Sequence, residues 1–368
     1  MTITASDVAL LEFDEVVAML DTDEPDGGLS FTTGPECPIE FSLPKGWNSM
    51  VQDMLGTEIL PAVTVKAGFN EYPMTKDALL DFTSTLSIQR EYMMRTPGPL
   101  MQTHVDYWVK NTNRDYRFLI KDNAVVAMAR KPTVVPFGNA DILHQIAARM
   151  IANGLIQYPS DLKVDFKMQH DLKYTSIRLI VPTPVRVIES LRHTTDNPDS
   201  WSIGVQLHNS LTGYFPMSVS GYLFAWTCAN GATATHLDVA KYNRRTHGQD
   251  IETVMDWLDG AVDTILNELP VEVDAVGKLT EIDLSGEVSA TMHDVFERLK
   301  VPMAARGPIL DNVVDSEDAS AYGLMQAITA AANNPDFTDE IRSRILYVGG
   351  DMPALLGDRC EQCHRLPV

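Results

Sequence analysis

Positive charge is scarce in this chain. Its 368 residues include 29 lysines and arginines against 50 aspartates and glutamates, a formal net charge of −21 at pH 7. If it binds nucleic acid, long-range repulsion from phosphate must be overcome locally. Cysteine is also rare. The four present lie too far apart, or too near the tail, to make a disulfide framework. No apolar run reaches the roughly 18 residues of a membrane span, so no membrane partner is expected. The opening MTITASDVALLEFDE is acidic and lacks a charged-then-apolar leader pattern, which predicts a cytoplasmic protein. The phosphate loop G-x-x-x-x-G-K-[ST], the dinucleotide fingerprint G-x-G-x-x-G and the zinc-protease H-E-x-x-H are all missing. Internal repeats and low-complexity segments are absent as well.

The 45% of hydrophobic residues is ample for a packed interior, and the length suits two domains or one elaborated domain. Charge is uneven. Residues 1–60 hold 12 acids and one base; residues 61–200 hold 14 acids and 17 bases; residues 201–368 hold 24 acids and 11 bases. The middle third is therefore the expected surface for any anionic partner. These shifts divide the chain into an acidic N-terminal arm and entry segment (1–60), a central α+β core (61–270) and a helical C-terminal region with a C-x-x-C-H tail (271–368).

Local signals fill in this outline. Leu10 to Leu20 suits a short helix, and Asp21 to Gly28 a turn. Thr75 is placed to cap a helix running to Arg95, and residues 100–109 suit a second. Arg117 to Arg130 reads as a hairpin about the turn residues Asp122 and Asn123. Asn139 is the expected cap of a helix stopping at Gly154. Tyr174–Val181, Ile203–Leu207 and Met217–Cys228 are the best strands, and their sequential order predicts antiparallel pairing. A helix from Asp250 is expected to end at Pro270. Helices are also expected over Glu287–Leu299, Ala319–Ala332 and Asp339–Tyr347. Strands followed by helices predict an α+β fold: a central antiparallel sheet, flanking helices and a mostly helical C-terminal region.

Chemistry-bearing residues concentrate between Ser202 and His247. Lys241, Tyr242, Asn243, Arg244, Arg245 and His247 form a basic run with an aromatic in it. Such a run suits phosphate contacts and base stacking, with Tyr214 and Trp226 as further stacking candidates. Arg117 and Lys121 on the early hairpin add cations, as do Arg130, Lys131 and Lys173. His208, Ser210 and His236 would make a hydrolase-like site if they converge, but no nucleophile elbow accompanies them. Cys360, Cys363 and His364 offer three ligands from one tight turn. A structural zinc needs four, so cofactors are expected to be none or a zinc at this tail.

NSLTG (Asn209 to Gly213), the long strand, CANG (Cys228 to Gly231) and RRTH (Arg244 to His247) together resemble the phage- and plasmid-borne family called domain of unknown function 932. VVAMARKPTVVPFGN (Val125 to Asn139) and AYGLMQAIT (Ala321 to Thr329) fit it too. Ala229 departs from the pattern, where threonine is usual. The resemblance implies mobile-element biology in a bacterial cytoplasm and transfers no catalytic residue. Antiparallel strands followed by a helix are also similar to the core of single-strand annealing recombinases. The expectation is a non-enzymatic, oligomeric protein binding single-stranded nucleic acid in recombination or replication. The alternatives are an acidic structural or interaction protein with a phage or host protein partner, including a nucleic-acid mimic, and the hydrolase at His208, Ser210 and His236.

Overall fold

The computed structural model describes residues 10–43, 59–131, 133–134, 136–165, 172–182, 186–187, 200–225, 230–233, 241–244, 249–316 and 318–357. The fold is α+β, with two sheets and a helical C-terminal region. The first sheet contains β2 (Gly27–Thr32), β3 (Ile39–Ser42), β4 (Ile59–Ala67), β5 (Asn70–Thr75), β6 (Asp115–Lys121) and β7 (Ala124–Met128), in the order β2-β6-β7-β5-β4-β3. The second follows the order β1-β8-β9-β11-β12-β13, with β10 added on β11 and β14 on β12. Its strands are β1 (Leu11–Glu12), β8 (Lys163–Asp165), β9 (Thr175–Ile180), β10 (Arg186–Val187), β11 (Ser200–Asn209), β12 (Met217–Ala225), β13 (Asn230–Thr233) and β14 (Lys241–Arg244).

The acidic first segment, expected as an arm, is woven into both sheets over residues 10–43. Strand β1 pairs with β8, while β2 and β3 form the two edges of the first sheet. Helix α1 (Phe13–Asp23) explains how an acidic stretch can do this. Phe13, Val16, Val17 and Leu20 recur at helical spacing and are buried, while Asp14, Glu15 and Asp21 face out. The acids sit on the solvent side of an amphipathic element.

The first sheet packs against α2 (Lys76–Thr85), α3 (Arg90–Arg95) and α4 (Gly98–Asn111). Its core is aromatic. Phe41 stacks on Phe82 with centroids 4.5 Å apart, and Phe31 stacks on Tyr116 at 5.5 Å. Thr75 caps α2 as expected, accepting from the Ala78 N–H. The expected long helix breaks at Ser87, whose φ of +60° cannot continue a right-handed helix, and restarts as α3. The Asp122–Asn123 turn has both residues at positive φ, as a two-residue type I′ hairpin requires.

In the second sheet, β9, β11 and β12 pair antiparallel in sequence order. Its apolar face (Ile177, Leu179, Val205, Leu207, Val219) joins one core with α1, α5 (Asn139–Ala152) and α6 (Ile251–Lys278). Asp250 caps α6, accepting from the Thr253 N–H at 2.7 Å. The helix runs through Pro270 rather than ending there. An interior proline costs about 3 kcal/mol, and buried Val276 and Leu279 beyond it offset that cost. Helices α7 (Val288–Arg298), α8 (Met303–Asp315), α9 (Ala321–Ala330) and α10 (Asp339–Gly357) complete the chain. The sequence signals missed α8, which has Pro308 inside it and a narrow buried stripe of Ala305 and Ile309. Among the described residues, no helix is long and apolar enough to cross a membrane.

Candidate nucleic-acid interface

The second sheet's other face is polar and buried. Register lines up one polar residue from each of four neighbouring strands: Asp165 opposite Arg178, Arg178 opposite Gln206, and Gln206 opposite Ser220. The row continues to Lys241, opposite Ser220 on β14. The next row is Ser176, His208, Ser218 and Asn243. Asp165, Arg178, Gln206, His208, Ser218 and Ser220 are all buried. Arg178 donates to Asp165 Oδ2 at 2.6 Å and sits 5.3 Å from the centre of the Tyr222 ring. Burial, the largest single influence, would lower the Arg178 pKa; Asp165, Tyr222 and Tyr174 together outweigh it and the net shift is upward. Arg178 Nε and Ser220 Oγ are buried without hydrogen-bond partners.

The second polar row leads outward to the β11–β12 turn. His208 Nδ1 meets the Tyr174 hydroxyl at 2.7 Å, and its Nε2 meets the Tyr347 hydroxyl of α10 at 3.4 Å. The Tyr174 ring stacks on His208 at 5.4 Å and meets Phe215 edge-on at 5.5 Å. Burial raises the Tyr174 pKa, so this hydroxyl stays protonated and able to donate. Phe215 ends the ladder at the turn's tip, 53% exposed. Beside it, Tyr214 is flanked by two cations, Lys173 Nζ at 5.4 Å and the Arg130 guanidinium at 6.0 Å from its ring centre. Arg130 also donates to the Tyr214 carbonyl, while Lys173 is paired with Asp81 at 2.7 Å.

Local chemistry holds this tip in place. Ser210 Oγ accepts the Tyr214 N–H, and Thr212 N–H donates to the Leu172 carbonyl. The Arg130 N–H donates to the Thr212 carbonyl, which ties the segment after β7 to the tip. Gly213 has φ +72° and lies so close to Val134 that an added Cβ would fall 2.6 Å from its Cγ2. Glycine meets both demands.

Below the tip, Asn209 Nδ2 donates to Asn139 Oδ1 at 2.9 Å and to the Phe137 carbonyl at 3.0 Å. Asn139 is therefore not the helix cap; Gly138 holds that position, and the Asn139 N–H donates to Glu24 Oε1. Burial raises the Glu24 pKa from 4.5 to about 7, against the lowering effect of that bond. Between these values the native state keeps a proton that the unfolded chain has released, so stability falls as pH rises through the window. Glu24→Gln should be more stable than wild type at pH 8 by about 1–2 kcal/mol, after discounting for partial exposure, and equal to it at pH 4. Urea unfolding at the two pH values measures this, and a difference independent of pH would contradict the assignment.

The predicted site residues scatter. Register places Lys241 and Asn243 on the polar face and pairs Arg244 with Met217, two positions beyond Phe215. The Arg244 guanidinium donates to Gln249 Oε1 at 2.9 Å. Residues 241–244, expected as a lead-in to the helix, form a strand because β12 offers its free edge there. Arg245, His247, His236 and Trp226 lie outside the described residues, as do Cys360, Cys363 and His364. Among the described residues, no group of three metal-capable side chains forms. Arg117 donates to the Val134 carbonyl at 3.2 Å, and Lys121 pairs with Asp23 at 3.3 Å, so the chain itself engages both cations. His208 and Ser210 turn to different partners, His208 to two tyrosines and Ser210 to the Tyr214 N–H.

Sequence reasoning missed Phe215, Tyr174, Tyr347 and the Asp165–Arg178 pair. The available signal was the alternation of Ser202, Gln206 and His208 with apolar residues, which ordinarily marks a solvent face. No protein-family model, curated protein or solved structure matches this chain. The resemblance in the central stretch rests on the quoted residues alone.

Proposed function

We propose that the protein binds single-stranded nucleic acid at the tip of the β11–β12 turn, without catalysing a reaction on it. The observation that carries this is the exposed Phe215 ring beside Tyr214, with the Arg130 guanidinium against the Tyr214 ring. A flat exposed aromatic next to cations is what an unpaired base and its phosphate need. Duplex DNA would not reach such a ring without unstacking a base. The ladder Phe215–Tyr174–His208–Tyr347 fixes the ring's support, so little side-chain freedom is lost on binding. Single-strand handling in phage or plasmid recombination or replication fits this chemistry, with oligomerisation supplying repeated contacts along a strand.

Fluorescence anisotropy with a labelled oligothymidylate at low salt tests the proposal. Wild type should bind, and Phe215→Ala should weaken binding by about 1–3 kcal/mol, the worth of one stacked base. Arg130→Ala should reduce the slope of log affinity against log salt by about 0.7, one single-strand phosphate contact. No binding at low salt, where attraction is greatest, would overturn it.

A further inference from the structure

We infer that the aromatic face of α3 and α4 is a second seat for the same single strand. This rests on the proposed function and places contacts on a surface remote in sequence from the turn. Helix α4 buries Met101, Val105 and Val109 against the first sheet. Flanking that stripe are His104, Tyr107 and Trp108, at spacings of three and four that share one helical face. Tyr107 is 58% exposed and Trp108 40%. Their rings meet edge-on at 5.5 Å, so the edge of one covers a face of the other. Tyr92 from α3 extends the row. It lies nearly parallel to the His104 ring, 7° apart at 5.4 Å, with its hydroxyl 2.9 Å from Nδ1.

Core packing accounts for only part of these rings, since they border the buried stripe of α4 and still expose much of their surface. Charge selects the occupant. Exposed Arg95 ends α3 three residues after Tyr92, and exposed Lys110 lies in the last turn of α4 two residues after Trp108. Residues 90–111, which span the two helices, hold three bases and two acids in a chain of net charge −21. Exposed rings with cations near them in the chain suit bases joined by phosphates, and stacking serves any base sequence.

The test uses the full chain, a long oligothymidylate, and two readouts: anisotropy of the labelled strand and intrinsic tryptophan emission. Binding should quench the emission. Trp108→Ala should remove most of that quench and weaken binding by about 5- to 150-fold. Trp108→Phe, which keeps a stacking ring, should restore most of the affinity. Trp108→Ala with wild-type affinity would overturn the inference, while the Phe215→Ala loss would leave the proposed function standing. The converse, loss on Trp108→Ala and none on Phe215→Ala, would support this seat and remove the turn. If Trp108→Ala instead shifts the size-exclusion volume and leaves strand binding intact, the face docks a second copy of the chain and the inference fails. Wild type that binds no strand removes both.

Discussion

Arg178→Met should cost the protein about 3–5 kcal/mol of stability at pH 7, the usual penalty for stranding one partner of a buried ion pair. Arg178 is 8% exposed and Asp165 5%, and they are joined at 2.6 Å. Without the guanidinium, Asp165 would be an unpaired carboxylate under a sheet face, and it would take up a proton to escape that state. The deficit should therefore shrink from pH 7 towards pH 5, because the protonated acid is cheaper to bury. The double variant Asp165→Leu with Arg178→Met should recover most of the loss, since well-packed apolar groups often replace a buried pair at little cost. Urea unfolding of the two single variants and the double at both pH values forms the cycle. A single variant within about 1 kcal/mol of wild type at pH 7 would mean that the pair is solvated and the polar face open to water.

That pair also shows what the sequence could and could not disclose. Features within one turn or one hairpin were legible: the Thr75 cap, the Asp122–Asn123 turn, and the antiparallel β11 and β12. Each depends on neighbours a few residues apart. The polar face depends on register between strands far apart in the chain. Ser202, Gln206 and His208 alternate with apolar residues, so β11 alone reads as half solvated. Burial comes from elsewhere: α10 brings Tyr347 to His208 across 139 residues, and β8 brings Asp165 to Arg178. The extent of the first sheet was missed for a related reason. Its edges β2 and β3 come from an acidic segment in which the helix at Leu10 to Leu20 was legible and the short strand patterns were not. At the candidate interface Tyr214, Arg130 and Lys173 were each visible as residue types. Their convergence was not, because three separate connections meet at one turn.

Gly213 tests whether that convergence matters. Gly213→Ala places a Cβ on a residue at φ +72°, which costs about 1–2 kcal/mol for an L side chain. The same Cβ would meet Val134 at 2.6 Å, and overpacking of this kind adds about 1–3 kcal/mol. The two parts separate in a double variant. Val134→Ala removes the opposing methyls, so adding it to Gly213→Ala should recover the steric part and leave the backbone part. Binding should follow the steric part. Val134 lies in the segment that holds Arg130 against Tyr214, so the clash pushes apart the cation and ring that the strand contacts. Strain at φ leaves that distance unchanged. Gly213→Ala should therefore lose affinity for the oligothymidylate, and Gly213→Ala with Val134→Ala should regain it while remaining less stable than Val134→Ala alone. If affinity instead tracks stability through all four proteins, the turn is only a stitch between the two sheets and the strand binds elsewhere.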